Sequence, residues 1–149
     1  ATFYVQKSEL AFWTGPYAHY PVFNEPVEAD DIVAFVRLNL AGRVKLVDGS
    51  CDLFPGIRVH LVGGHTAGSQ IVEVATAGGP AVICSDAVKT YRSLREEAPD
   101  PLHHDIPGIL QGYDLVRRLT AGEDMILPGH DPEVLERFRL VADGVALLE

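Results

Sequence analysis

Three strand-like runs in this chain each lead, within two or three residues, to a side chain able to hold a cation or move a proton. Ile57-Arg58-Val59-His60-Leu61-Val62 continues through Gly63-Gly64 to His65. Ala81-Val82-Ile83-Cys84 continues through Ser85 to Asp86. Met125-Ile126-Leu127 continues through Pro128-Gly129 to His130. In a layered α/β sheet, strand ends gather at one edge and the loops there build the site. The pattern therefore predicts a mixed sheet, covered by helices, with three distant points of chain on one rim.

The remaining segments fit that frame. Residues 2–6 read as a short strand, and Ser8–Trp13 as a short helix with Ser8 as its cap. Gly15, Pro16, Pro21 and Pro26 bound an aromatic loop holding Tyr17, Tyr20 and Phe23. Residues 28–41 have helical period, with acidic residues in the first turn and Gly42 as the stop. Val44–Val47 is a strand before an Asp48-Gly49 turn, and Gln70–Ala75 is a return strand turned again by Gly78-Gly79-Pro80. Residues 81–84 are apolar throughout and are expected to be buried on both faces. A helix capped by Asp105 presents Ile109, Leu110, Tyr113, Val116 and Leu119, and a last helix over 132–141 turns Val134, Leu135, Phe138 and Val141 inward.

Composition removes several classes of function. The 149 residues carry 12 Lys and Arg against 21 Asp and Glu, a net charge of −9, which opposes a nucleic-acid partner. No apolar run approaches the ~20 residues of a membrane span. A chain this long buries about 70% of its unfolded surface in one core, so two domains are not expected. Cys51 and Cys84 suffice for neither a disulfide framework nor a Cys-rich zinc site, which fits a reducing, cytoplasmic setting.

Two imidazoles and a carboxylate, His65, Asp86 and His130, form part of a shell for Zn²⁺ or a similar ion. The small residues Gly63, Gly64, Gly68, Ala87 and Gly129 beside them let backbone approach a bound ion or ligand. Each of the three is singly compatible with a surface residue or a cap, and their spacings match no short metal motif. His60 reads as a satisfied sheet histidine, Cys84 as a buried thiol, and His103 with His104 as a solvated pair.

The strings Gly64-His65-Thr66-Ala67-Gly68-Ser69, Ser85-Asp86-Ala87 and Pro128-Gly129-His130-Asp131-Pro132 resemble, in order and spacing, the later metal motifs of the metallo-β-lactamase superfamily. Tyr4-Val5-Gln6 through Phe12-Trp13 resembles its N-acyl homoserine lactonase branch. The resemblance implies half of an αβ/βα sandwich, with two divalent metal ions, usually zinc, at the sheet edge. It implies His65 on the first metal, Asp86 bridging both, and His130 on the second. A hydroxide between them, its pKa lowered toward ~7, would open a lactone ring, the chemistry of quorum quenching. By the same likeness, Phe12, Trp13, Tyr17 and Tyr20 would line an acyl groove, and Lys89 or Tyr91 would donate to the substrate oxygen.

The superfamily's first motif, His-x-His-x-Asp-His, has no counterpart here, since His103-His104-Asp105 has the wrong spacing. Residues 1–149 are therefore expected to be the C-terminal half of such a domain. It would be inactive alone and would work with an N-terminal half on a separate or cleaved chain; a dimer is left open. The alternatives are another ester, thioester or phosphotriester hydrolase of the superfamily, and a non-catalytic half-domain that acts only with a partner.

Overall fold

The computed structural model describes residues 1–101 and 103–148. Strand β1 (Phe3–Gln6) leads into α1 (Lys7–Trp13), α2 (Pro21–Asn24) and α3 (Ala29–Leu40), and then β2 (Val44–Val47) pairs parallel with β1. The central sheet has the order β3 (Cys51–Phe54), β4 (Ile57–Leu61), β5 (Gln70–Thr76), β6 (Gly79–Ser85) and β7 (Ile126–Pro128). Its first three pairings are antiparallel, and β6 and β7 run parallel. Parallel neighbours need a crossover, which α4 (Tyr91–Glu96) and α5 (Ile106–Leu119) supply. After β7 come α6 (Glu133–Arg137) and a hairpin of β8 (Arg139–Ala142) and β9 (Val145–Leu147). Among the described residues no helix is long and apolar enough to cross a membrane.

The core lies between the sheet and the crossover helices. Ile71, Val82, Cys84 and Ile126 meet Tyr91, Leu94, Ile109, Tyr113 and Val116. Asp105 caps α5 by accepting from the Gly108 amide, and Pro107 occupies its first turn. Tyr91 anchors α4: its hydroxyl donates to the Ile126 carbonyl at 2.8 Å, and its ring lies 3.8 Å below the Arg137 guanidinium. Arg95 and Arg137 both reach Glu123 and Glu133, fastening α4, the turn before β7 and α6 together. The Arg95 and Arg137 guanidinium groups hold the Glu123 carboxyl below its ordinary range.

The other face of the sheet is apolar and only partly covered. Side chains alternate along a strand, so the register puts Val72 and Ile83 side by side, with Leu127 beyond and Val74 and Ala81 next along. Val59 and Ala81 are buried there, but Val72, Val74 and Leu127 are half-buried and Ile83 is 46% exposed. Burial of 81–84 on both faces is thus corrected at Ile83, where the cover of this face is incomplete.

Other local expectations also change. Ser8 caps nothing; α1 begins at Lys7 after Gln6, and the Ser8 hydroxyl is buried without a partner. The aromatic loop contains α2, which Pro21 starts. Leu110 is exposed, since it lies off the buried stripe of α5. The last helix stops at Arg137; residues 139–142 form a strand because Asp143-Gly144, with Gly144 at φ +67, makes a hairpin turn. Leu135 and Val141 are consequently exposed. Strand β3 follows from the Pro55-Gly56 turn, with Gly56 at φ +75.

Candidate metal centre

Strand β6 ends on Ser85, which sits at φ +48, a left-handed conformation uncommon for a residue with a side chain. The bend releases the chain at Asp86. The loop after β6 is laced to the loop after β7: the Gly129 amide donates to the Val88 carbonyl at 3.0 Å, and the His130 amide to the Lys89 carbonyl at 2.9 Å. A Cβ on Gly129 would stand 2.5 Å from the Ser85 carbonyl oxygen, so only glycine lets the loops approach this closely. The result is a direct contact, with His130 Nε2 2.8 Å from Asp86 Oδ1.

His65 stands on a loop that the backbone fixes at both ends. The Ser69 carbonyl accepts from the Val62 and Gly63 amides. The Gly64 carbonyl accepts from His104 and Asp105, the start of α5. Glu9 of α1 clamps the loop from the other side, accepting from Thr66 Oγ1 at 2.7 Å, the Gly68 amide at 2.8 Å and Trp13 Nε1 at 2.7 Å. His65 and Asp86 line one cavity of about 310 Å³, which Gln6, Glu9 and Ser69 also line.

Glu9 was not expected from sequence, and its three accepted hydrogen bonds make it a positioning residue for the His65 loop. Glu9→Gln keeps the shape but presents an amide donor to a cluster of donors. Stability should fall by about 1–2 kcal/mol, read by urea denaturation, and Trp13 fluorescence should shift with it. An unchanged midpoint and spectrum would show that the clamp carries no weight.

The donor set fits part of a metal shell. Asp86 and His130 converge on one point, and His65 shares a cavity with Asp86. Among the described residues, however, no three His, Cys, Asp or Glu side chains are grouped closely enough to hold a metal ion. Two imidazoles and a carboxylate are suitable donors, but cations here would need further ligands.

The other expected site residues are dispersed. Lys89 stays near, with its ammonium 3.0 Å from Asp100 and 4.0 Å from Asp86. Tyr91 does not reach the cavity; it is fully buried with its hydroxyl committed to Ile126, so its expected role as an oxygen donor is corrected to that of a core anchor. Phe12 and Trp13 pack edge to face, 5.0 Å apart, and line a small recess that His65 also lines. Tyr17 and Tyr20 are exposed and line neither cavity. His60 pairs with Glu73 at 2.7 Å, and burial pushes the Cys84 thiol up to about 12, so both are structural. The solvated pair is corrected at His103: its side chain is only 6% exposed, and burial lowers its pKa. The His104 ring packs against Phe12 at 5.0 Å.

Comparison with solved structures places this architecture. An N-acyl homoserine lactone hydrolase, solved with the product N-hexanoyl-L-homoserine at its catalytic metal centre, superposes with a TM-score of 0.68 at 19% identity, covering 95% of this chain and 51% of that chain. AidC, a dizinc quorum-quenching lactonase, gives 0.66 at 14% identity, covering 89% and 48%. AbOPH, a hydrolase of the beta-lactamase superfamily, gives 0.63 at 21% identity, covering 89% and 48%. The chain has the metallo-β-lactamase fold. It spans about half the length of the solved structures it matches. No protein-family model and no curated protein sequence matches it. Strands β4, β6 and β7 run in the same direction, so the loops that follow them, with His65, Asp86 and His130, leave the sheet at one edge.

Proposed function

We propose that this chain forms the second half of the catalytic edge of a metal-dependent hydrolase that opens N-acyl homoserine lactones. The carrying observation is the Asp86–His130 contact at the ends of the parallel strands β6 and β7, in a fold whose solved examples include metal-dependent lactonases. His65, Asp86 and His130 would hold two divalent cations, zinc being the first candidate, together with ligands from a complementary first half. When bound, such ions supply Lewis acidity toward a carbonyl and an acidified water.

The chain's own residues do the rest. Asp86 offers two oxygens and one negative charge at a point only one-third exposed, suited to bridging two cations. Its pairing with His130 holds both donors in place. Lys89 stands close enough to balance the carboxylates and to donate to an oxygen that gains charge. Phe12 and Trp13 offer apolar surface for an acyl chain.

The apolar sheet face around Ile83 supports the need for a complement. Such a face is an aggregation hazard when bare, and the matched structures are about twice as long. A first-half sheet carrying His-x-His-x-Asp-His would both cover it and complete the shell. A second reading, a half-domain without catalysis of its own, draws on the lack of a three-donor group among the described residues.

The test joins this chain to a first half bearing that motif and measures metal content and hydrolysis. About two ions per assembled unit are expected, with lactone turnover that a chelator abolishes. Lactone rates no better than those on aryl esters, thioesters and phosphotriesters would move the assignment to another hydrolase of the superfamily. No metal with or without the first half would favour the non-catalytic module.

A further inference from the structure

Asp131 follows His130 directly, and its carboxylate is shared between two helices. Oδ2 accepts from the Tyr91 amide at 2.8 Å, and Oδ1 accepts from the Glu133 amide at 3.0 Å. Tyr91 opens α4 and Glu133 opens α6, so both amides belong to first turns, where the helix itself offers no carbonyl to receive them. An ordinary cap serves one helix. Here one carboxylate ties the segment after β6 to the segment after β7.

The Tyr91 bond continues a series. The Gly129 and His130 amides donate to the carbonyls of Val88 and Lys89, and Asp131 then receives the Tyr91 amide. Three consecutive residues after β7 thus grip residues 88–91, the last of them by its side chain. What Asp131 grips is rigid: Tyr91 is fully buried, its hydroxyl donates to the Ile126 carbonyl, and Arg137 covers its ring. The His130 side chain, by contrast, is 62% exposed, and it reaches Asp86 Oδ1 at 2.8 Å. Packing does not fix the ring, so its place follows the backbone on either side of it, which Gly129 and Asp131 hold.

We propose that Asp131 is the positioning residue of the Asp86–His130 pair: by joining the start of α4 to the start of α6, its carboxylate holds the His130 backbone where Nε2 meets Asp86. What the pair does for a cation rests on the metal-dependent reading above. The dependence of its geometry on Asp131 does not.

Amide hydrogen exchange of the full chain without metal reads the geometry. Competition for Zn²⁺ between a chromophoric chelator and the assembled protein reads the consequence. Asp131→Ala removes both bonds, and the His130 amide should then exchange about 10-fold faster relative to the amides of strand β5. Zn²⁺ affinity should fall about 10- to 100-fold, as for other residues that orient a metal ligand. Asp131→Asn has one acceptor oxygen in place of two. It should fall between wild type and alanine, and it decides the question if the alanine variant does not fold. Arg117 is the control: it donates to the Leu94 carbonyl and pairs with Glu97 at the far end of α4. Arg117→Ala should lower overall stability yet change neither the relative exchange nor the affinity by more than about 2-fold. A merely structural Asp131 would behave like Arg117. Unchanged relative exchange at His130 in the Asp131 variants, or faster exchange with wild-type Zn²⁺ affinity, would overturn the assignment. Faster exchange in an assembled protein whose wild type binds no Zn²⁺ would remove the metal-dependent reading and leave the positioning role standing.

Discussion

Asp86→Asn is expected to lower the divalent-cation affinity of the assembled protein by at least ~100-fold. That exceeds the 10–100-fold usual for a residue that merely supports a metal ligand. Asparagine has nearly the same shape, so the sharp bend at Ser85 and the backbone ladder from 85–89 to 129–130 should persist. The amide can still pair with His130. What disappears is a negative charge with two equivalent oxygens, which a bridging position requires. Asp86 is one-third exposed, so the stability change should stay within about 0.5 kcal/mol. Competition against a chromophoric chelator measures the first quantity, and urea denaturation the second. His65→Ala should lower occupancy less, because it removes a donor to one ion only. Wild-type metal content in Asp86→Asn would refute the bridging role.

The rim of the sheet was readable because strand ends are readable. Each of β4, β6 and β7 is a short apolar run stopped by glycine, serine or proline, and the residues that follow fall at one edge whatever the details of packing. The direct meeting of Asp86 and His130 has a local cause that the sequence does display, Gly129, although its role differs from the expected one. The glycines near the site admit other chain segments rather than a ligand: Gly129 faces Ser85, Gly68 faces Glu9, and Gly64 faces Ile109.

What could not be read were contacts between segments far apart in the chain. Glu9 meets Thr66 and Gly68 across more than fifty residues, and nothing in the string Ser8-Glu9-Leu10 marks it. Tyr91 lies in a polar stretch; Arg95, one turn on in the same helix, covers one part of its ring, but its burial also depends on the Ile126 carbonyl and on Arg137 arriving from elsewhere. His103 sits two residues after an exposed proline and before a helix, a context that ordinarily means solvent, yet it is buried beside a recess that the aromatics of α1 and α2 also line. The Asp143-Gly144 hairpin is different: its signal was present, and helical period over 132–141 obscured it. Period is a weak guide in a segment so short.

The most demanding of these chain crossings should also be the costliest to disturb. Gly64→Ala is expected to destabilise the chain by about 3 kcal/mol. Gly64 is buried at φ +80, and a Cβ there would lie 2.7 Å from the Ile109 amide nitrogen and 2.9 Å from its Cδ1. The nearest obstacle is backbone at the first turn of α5, which cannot swing away even if the Ile109 side chain does. The same loop residue accepts from the His104 and Asp105 amides, and any retreat from Ile109 pulls on both bonds and on His65 next to it. Gly49→Ala separates the two costs. Gly49 has the same φ of +80 but nothing within 4 Å of its would-be Cβ, so it should lose only the ~1 kcal/mol of left-handed strain. The difference, about 2 kcal/mol, belongs to the collision and lies within the usual range for overpacking. Thermal midpoints should fall by roughly 10 °C and 3 °C respectively. Equal losses at the two positions would mean that α5 does not press on the His65 loop, and the account of how that loop is held would fail.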